Sequence, residues 1–224
     1  MIRTLKLTDI SKSEIERTLN SVRFSGTLCC EILENDLDIS LKCNVEESNK
    51  MVFAEVFREL EPFIYTDEDE TPFTRLASLA DVRKLKIGVI DQGFRGKLTE
   101  QLFSNKCNVN CSVGFEEIED LENYFDSKDY TEIAKQFARG FGLDVVIFGC
   151  AEFEQTGIIS SFCKVVVYSA LRGSFENSYY FLGTNDDIST KLSFVATAFA
   201  AKKIYWTIVQ ICLKNILFCD NIKK

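Results

Sequence analysis

The segment Lys84–Leu98, KLKIGVIDQGFRGKL, constrains this chain more than any other stretch. A short apolar run, Leu85–Ile90, meets a turn marked by Gly93 and Gly96, and a helical pattern follows from Lys97 to Phe103. Strand, glycine turn and helix together form the unit from which α/β sheets are built. The turn is where such sheets place a nucleophile or cradle a phosphate. Here it reads Asp91-Gln92-Gly93-Phe94-Arg95-Gly96, with no Ser, Thr or Cys, and the whole chain contains no His. A Ser-His-Asp triad and His-based zinc sites are therefore excluded. The frame is that of an enzyme, but the attacking group and its base are missing from the expected place.

The charge balance narrows the partners. Lys and Arg number 26 against 34 Asp and Glu, a formal net charge of −8. Nucleic acid and anionic membrane both need a basic face, so neither is expected as a main partner. The longest apolar stretch near the end, Ile204–Leu213, is interrupted by Gln210 and flanked by lysines. It falls short of the roughly 20 apolar residues that span a bilayer. No secretory signal is legible in MIRTLKLTDI. The nine cysteines are odd in number and lie mostly inside apolar runs, so they are expected as unpaired, reduced thiols in a cytoplasmic protein. Cys107 and Cys111 make one close pair, but no second pair completes a four-thiolate zinc site, so no metal is expected. No cofactor is expected either.

Periodicity sketches two domains. Residues 12–20 carry Ile15 and Leu19 at helical spacing, with Ser11 or Ser13 as N-cap. Strand patterns at 24–33 and 36–44 are joined by Glu34-Asn35, which reads as a tight hairpin turn. A helix over 46–60 places Val52, Phe53, Val56, Phe57 and Leu60 on one side. Residues 1–65 thus form a small α+β domain, and 66–80 an acidic linker (Asp67–Glu70) leading into a helix start at Pro72. Residues 81–224 read as a larger α/β domain with a central, mainly parallel sheet. Its strands are expected at 85–90, 107–115, 144–150 and 163–170, with 177–182 beside the last. Its helices are expected at 97–103, partly over 116–125, at 129–141 and over most of 186–218.

In this order the features resemble the CinA (competence/damage-inducible protein) family over nearly the whole chain. Arg3-Thr4-Leu5 and Ser13–Glu16 resemble the opening of the family's KH-like domain, and Phe63-Ile64-Tyr65 with Asp67–Thr71 its end. Val89–Gly96 falls where the family carries VAESCTGG, and Phe148–Phe153, FGCAEF, where it carries the loop TGIAGP. Lys164–Leu171 resembles the strand VGLVYIAL, and Phe181–Ile188 the motif F-x-GDR-x-x-IR. The resemblance implies a C-terminal α/β domain with nicotinamide-mononucleotide amidohydrolase activity. Its motif serine is the proposed nucleophile, helped by Lys and Tyr from a Y-S-N-x-x-K segment. Many members also carry a molybdopterin-binding-like domain ahead of the KH-like one. This chain opens at the KH-like region, so that domain is expected, if anywhere, on a separate partner chain.

The departures from the family pattern fall on the chemistry. Amide hydrolysis needs a nucleophile, a proton shuttle and an oxyanion hole. Gln92 stands where the resemblance places the serine, with Gly93 and Phe94 for the neighbouring Cys and Thr. Glu152 replaces a loop glycine after Gly149, and Asn185 replaces the GDR arginine. Lys128 with Tyr124 and Tyr130 is only a loose echo of Y-S-N-x-x-K. Arg95 is a gain, expected either to hold an anion or to pair with Asp91 or Glu100. The vestigial pocket is therefore expected at Asp91–Gly96, Gly149, Glu152 and Asn185, without catalytic residues. No GXXG clamp for nucleic acid occurs in residues 1–65. The reading that follows is a binding or scaffold protein, homo-oligomeric through its apolar terminal helix. The alternative is a divergent amidohydrolase using Cys150 with Glu152 and Arg95.

Overall fold

The structure is a computed structural model. It describes residues 1–22, 27–156 and 158–220, with side chains except at 153–156, 158, 159, 185 and 205–220. The chain divides into two compact units, Met1–Pro72 and Phe73–Lys224.

In the first unit β1 (Ile2–Leu7), β2 (Cys29–Glu34), β3 (Ile39–Asn44) and β4 (Ile64–Thr66) form a sheet of order β2-β3-β1-β4. All three pairings are antiparallel. Helix α1 (Lys12–Ser21) starts at a capping box, in which the Ser11 side chain accepts from Glu14 N–H and the Glu14 carboxylate accepts from Ser11 N–H. Helix α2 (Lys50–Leu60) starts four residues later than the pattern suggests. The Asn49 side chain accepts from Glu46 N–H at 2.8 Å and donates to Thr27 and Asn44 carbonyls, which holds 46–49 in a turn.

Two expectations about this unit are corrected together. The hairpin does not turn at Glu34-Asn35. Glu34 pairs with Ile39, Asn35 N–H bonds the Asp38 carbonyl at 2.9 Å, and the loop is Asn35–Asp38. The Asp38 carboxylate accepts from Asn35 Nδ2 and, at 2.7 Å, from the buried Tyr65 hydroxyl. This register sets Cys30 directly opposite Cys43 with Cα atoms 4.2 Å apart, and the two are joined by a disulfide. The expectation of unpaired thiols throughout therefore fails here. Cys29, Cys107, Cys111, Cys150 and Cys163 are free.

The second unit begins with α3 (Pro72–Arg83) and continues as β5 (Ile87–Gln92), α4 (Lys97–Ser104), β6 (Val109–Phe115), α5 (Ile118–Phe125) and α6 (Tyr130–Phe141). Then come β7 (Val145–Thr156), β8 (Ile158–Ser169), β9 (Gly173–Gly183) and α7 (Asn185–Asp220). The sheet order is β6-β5-β7-β8-β9. β5 runs parallel to both β6 and β7, as an α/β unit requires. The strand over 163–170 was expected to extend the parallel set, but β8 runs antiparallel to β7 and β9 antiparallel to β8. The reason is length: a single residue separates β7 from β8, whereas a parallel crossover needs a dozen or more.

Side chains alternate across β5. Ile90 joins a core with Ile133, Phe137, Val146, Phe148 and Val166 under α6. Gly88 belongs to the same contact, because a Cβ there would run into Leu143 and approach Phe137 Cε1 to 3.0 Å. Helix α7 packs with α4 and against β7, β8 and β9. Its buried Ser193 and Thr197 hydroxyls are satisfied by carbonyls four residues back, at 2.7 Å each. Among the described residues no helix is long and apolar enough to cross a membrane.

Candidate functional site

β5 and β6 end side by side at Gln92 and Phe115, next to Cys150 of the longer parallel strand β7, and open α/β sheets bind ligands at such strand ends. The turn that leaves β5 is made by left-handed backbone at Gly93 (φ 79°), Arg95 (φ 53°) and Gly96 (φ 76°). Two glycines remove most of the steric cost of that path, and Arg95 bears it once. The Asp91 side chain holds the turn closed from inside. One oxygen accepts from Phe94 N–H at 3.1 Å, and the Gly96 and Leu98 amides also favour its charged form. Its other oxygen, Oδ2, has no partner. Asp91 is 2% exposed, and burial outweighs those amides, pushing its carboxyl up to about 6.

Gln92 points to the opposite face and is bonded in three directions. Its carbonyl oxygen accepts from the Cys150 thiol at 2.9 Å and from Ala151 N–H at 3.2 Å, and its amide nitrogen donates to the Glu116 carbonyl at 3.0 Å. The side chain therefore ties β5 to β7 and to the end of β6. Phe94, 1% exposed, lays its ring on Gly149. A Cβ on Gly149 would lie 2.6 Å from Phe94 Cζ, so the ring occupies space that only glycine leaves open.

The segment expected to be a ligand loop is not a loop. Phe148–Glu152 continues β7 without interruption, pairing Gly149 with Val165, Ala151 with Cys163 and Glu152 with Phe162. The structure brings Asp91, Gly93, Phe94, Gly96 and Gly149 together at one end of β5, with the Gln92 side chain on the opposite face beside Cys150. Arg95 is exposed there and makes no ion pair among the described residues. The expected pairing with Glu100 is absent because Lys97 takes that carboxylate at 3.1 Å, and Asp91 is sealed beneath the turn. Glu152 lies two residues beyond Cys150 and is exposed. Asn185 opens α7, and its side chain is outside the described residues.

One cluster was not read from the sequence. Cys150 sits opposite Lys164 in the β7–β8 register, beside the Tyr130 hydroxyl at the start of α6. Lys164 Nζ lies 5.2 Å from the Tyr130 ring centroid and 3.0 Å from Glu176 Oε2. Burial, only partly opposed by the Tyr130 hydrogen bond, pushes the Cys150 thiol up to about 12 and raises Tyr130 as well. Tyr130 is the one member of the loose Tyr/Lys echo brought to the site. Lys128 pairs with Glu122 at 3.3 Å, and Tyr124 packs on Phe115 and Phe125. Alternation along an antiparallel hairpin could have revealed this pairing, had β8 been read in that direction. Among the described residues no group of three or more Cys, Asp or Glu side chains could hold a metal ion.

No family model matches the chain, and no curated relative matches it. Solved structures do. One is the competence damage-inducible protein A from Klebsiella pneumoniae subsp. pneumoniae MGH 78578, with a TM-score of 0.51 and 13% identity, covering 61% of this chain and 98% of that one. The chain has the CinA-like α/β fold. The competence-damaged protein (CinA) superfamily proteins from Klebsiella pneumoniae 700603 and Enterobacter cloacae both give a TM-score of 0.50. Their identities are 14% and 16%, and they cover 60% and 62% of this chain and 96% of each of theirs. At these identities the likeness to CinA proteins is one of fold. The chemistry must be argued from the corner around Gln92.

Proposed function

We propose that the chain is a CinA-like protein whose amidohydrolase site has been closed, and that it serves as a binding or scaffold protein. The observation that carries this reading is the Phe94 ring seated on Gly149 beside a Gln92 amide bonded on three sides. An amide substrate needs room at a nucleophile and donors pointing at its developing oxyanion. Here the ring fills the Asp91 face of the strand end, and on the other face the side chain at the nucleophile's place bonds the strands around it. Purified protein incubated with nicotinamide mononucleotide is expected to release no ammonia above buffer.

The alternative amidohydrolase would attack with Cys150. A thiol pushed up to about 12 is almost entirely protonated near neutral pH, and only the thiolate attacks. Arg95 and Glu152 are exposed and do not supply the missing activation. Ammonia release that disappears in Cys150→Ala would overturn the closed-site reading.

The remaining parts of the proposal concern assembly. Residues 1–65 are read as a KH-like domain of a cytoplasmic protein. The apolar terminal helix, whose side chains at 205–220 lie outside the described residues, is read as a homo-oligomer contact. A separate chain with a molybdopterin-binding-like domain is the proposed partner. Light scattering showing a monomer, together with no retention of such a domain on the immobilised protein, would count against the scaffold role.

A further inference from the structure

The same sheet has a second concave feature at its other end. α3 closes with Leu85 N–H bonded to the Ala80 carbonyl at 2.9 Å, which leaves Lys84 left-handed at φ 53°. α4 closes in the same way, with Cys107 N–H on the Leu102 carbonyl at 2.9 Å and Lys106 at φ 62°. Glycine or asparagine normally fills that position. Lysine there accepts backbone strain that glycine would not, and strain of this kind points to function when it converges on one place. It does converge. Among the described residues five non-glycine residues have positive φ, and Lys84 and Lys106 are two of them, both lining a single cavity of about 340 Å³.

Lys86 lines the cavity too, just ahead of β5, with Asn108 and Asn110 from the start of β6. None of the three ammonium groups has a carboxylate partner among the described residues, although the chain carries eight more acidic than basic groups. Asn110 Oδ1 accepts from Ile87 N–H at 2.9 Å, which leaves its amide nitrogen as a donor. Among the described residues the lone acid on the wall is Asp81. Each lysine at a helix end also opposes the negative end of its own helix. That accounts for the sign of either charge separately. It does not require both helix ends and Lys86 to face one hollow.

We propose that this cavity binds a small phosphorylated compound through its phosphate, held by the ammonium groups of Lys84, Lys86 and Lys106 and the amides of Asn108 and Asn110. Unpaired ammonium donors suit an oxyanion, and a hollow of this size takes a small molecule rather than a polymer. The two helix carboxyl ends oppose the anion, so the affinity is modest. The site lies at the strand amino ends, away from Gln92, and stands or falls independently of the closed-site reading.

The test is a titration of the isotope-labelled full chain with inorganic pyrophosphate at about 0.15 M salt, followed by amide shifts. Saturable shifts at residues 84–86 and 106–110, with a Kd on the order of 0.1–1 mM, are expected. The doubly substituted chain with Lys84→Gln and Lys106→Gln, shown to be folded by an unchanged melting profile, should bind about tenfold or more weakly. Lys135→Gln, which removes a lysine paired with Glu132, should bind as the parent does. The proposal is overturned by an absence of saturable shifts up to about 10 mM pyrophosphate. Shifts that survive in the double variant overturn it as well. So does a single-stranded DNA 12-mer that binds more tightly than pyrophosphate and shifts amides well outside the cavity.

Discussion

At its carboxyl end β5 delivers Asp91 and Gln92 into a packed, hydrogen-bonded interior, while just ahead of its amino end Lys86 lines a hollow beside two unpaired lysines. Open α/β sheets ordinarily bind ligands at the first of these ends. Here that end is held by ring-on-backbone packing and by a glutamine bonded in three directions. The other end carries three lysines that have no ion-pair partner among the described residues. The contrast teaches where to look for each role. Closing a site requires filling volume and satisfying polar atoms, both of which register as stability. A binding site leaves donors unsatisfied, which registers only when ligand is added. Substitutions at the two ends should therefore fail in different ways.

The largest effect is expected at the Phe94–Gly149 contact. Phe94→Ala removes a buried ring and should cost about 3–5 kcal/mol of unfolding free energy, read by chemical denaturation. Gly149→Ala drives a methyl into that ring and should cost about 1–3 kcal/mol. In the double variant the methyl has room, so the combined loss should fall short of the sum by at least about 0.5 kcal/mol. Strict additivity would mean that the ring does not rest on Gly149, and the account of a plugged corner would go with it.

Next in size is Asp91. Its carboxyl sits at about 6 in the folded chain, against an ordinary value of 3.8. Below 3.8 it is neutral in both states and costs nothing. Between 3.8 and about 6 the unfolded state gives up its proton while the folded state keeps it, and above about 6 the folded state buries a charge that the unfolded state leaves in water. Stability is therefore lost on going up in pH, by as much as about 3 kcal/mol once the group is fully ionised. Asp91→Asn keeps an acceptor for Phe94 N–H and should erase most of that loss, so the variant gains on the parent at pH 8 and matches it near pH 4. A variant less stable than the parent at pH 8 would show that the charged carboxylate holds the turn. Gln92→Leu comes third, at about 1–3 kcal/mol, because a side chain of similar shape leaves the buried Ala151 N–H without its Gln92 acceptor and the Glu116 carbonyl without its Gln92 donor.

Much of this molecule could be read before its structure, and the limits of that reading have physical causes. β5, its glycine turn and α4 follow from apolar period and punctuation, and so do α6 and the apolar start of β7. The loss of a nucleophile at Gln92 needs no coordinates. What failed was direction and register, which single-strand patterns do not encode. Moving the first hairpin loop from Glu34-Asn35 to Asn35–Asp38 shifts which residue faces Cys30, and the disulfide to Cys43 was hidden by that slip. Reading 163–170 as parallel hid the pairing of Cys150 with Lys164 and the fact that Gly149–Glu152 lies inside a strand. β1 was not read as a strand at all. Three of its six residues are apolar, and it sits between β3 and β4 because Leu5 and Leu7 are fully enclosed. The amino-end lysines escaped notice because Lys84 and Lys106 are 22 residues apart in sequence and meet only through two helix ends.

The smallest effect on stability is expected at those lysines, and its smallness is the point. Lys84→Gln and Lys106→Gln alter exposed side chains without ion-pair partners, so each should change unfolding free energy by no more than about 0.5 kcal/mol. What they do lose is the favourable charge at a helix carboxyl end, worth a few tenths of that unit. Replacing the same residues by glycine should stabilise slightly instead, because the left-handed backbone is then relaxed. If Lys84→Gly or Lys106→Gly raises the melting temperature while pyrophosphate binding falls, the chain is holding a strained lysine for its charge. That is the opposite of what the Phe94–Gly149 corner does, where glycine is kept so that a neighbour can fill the space.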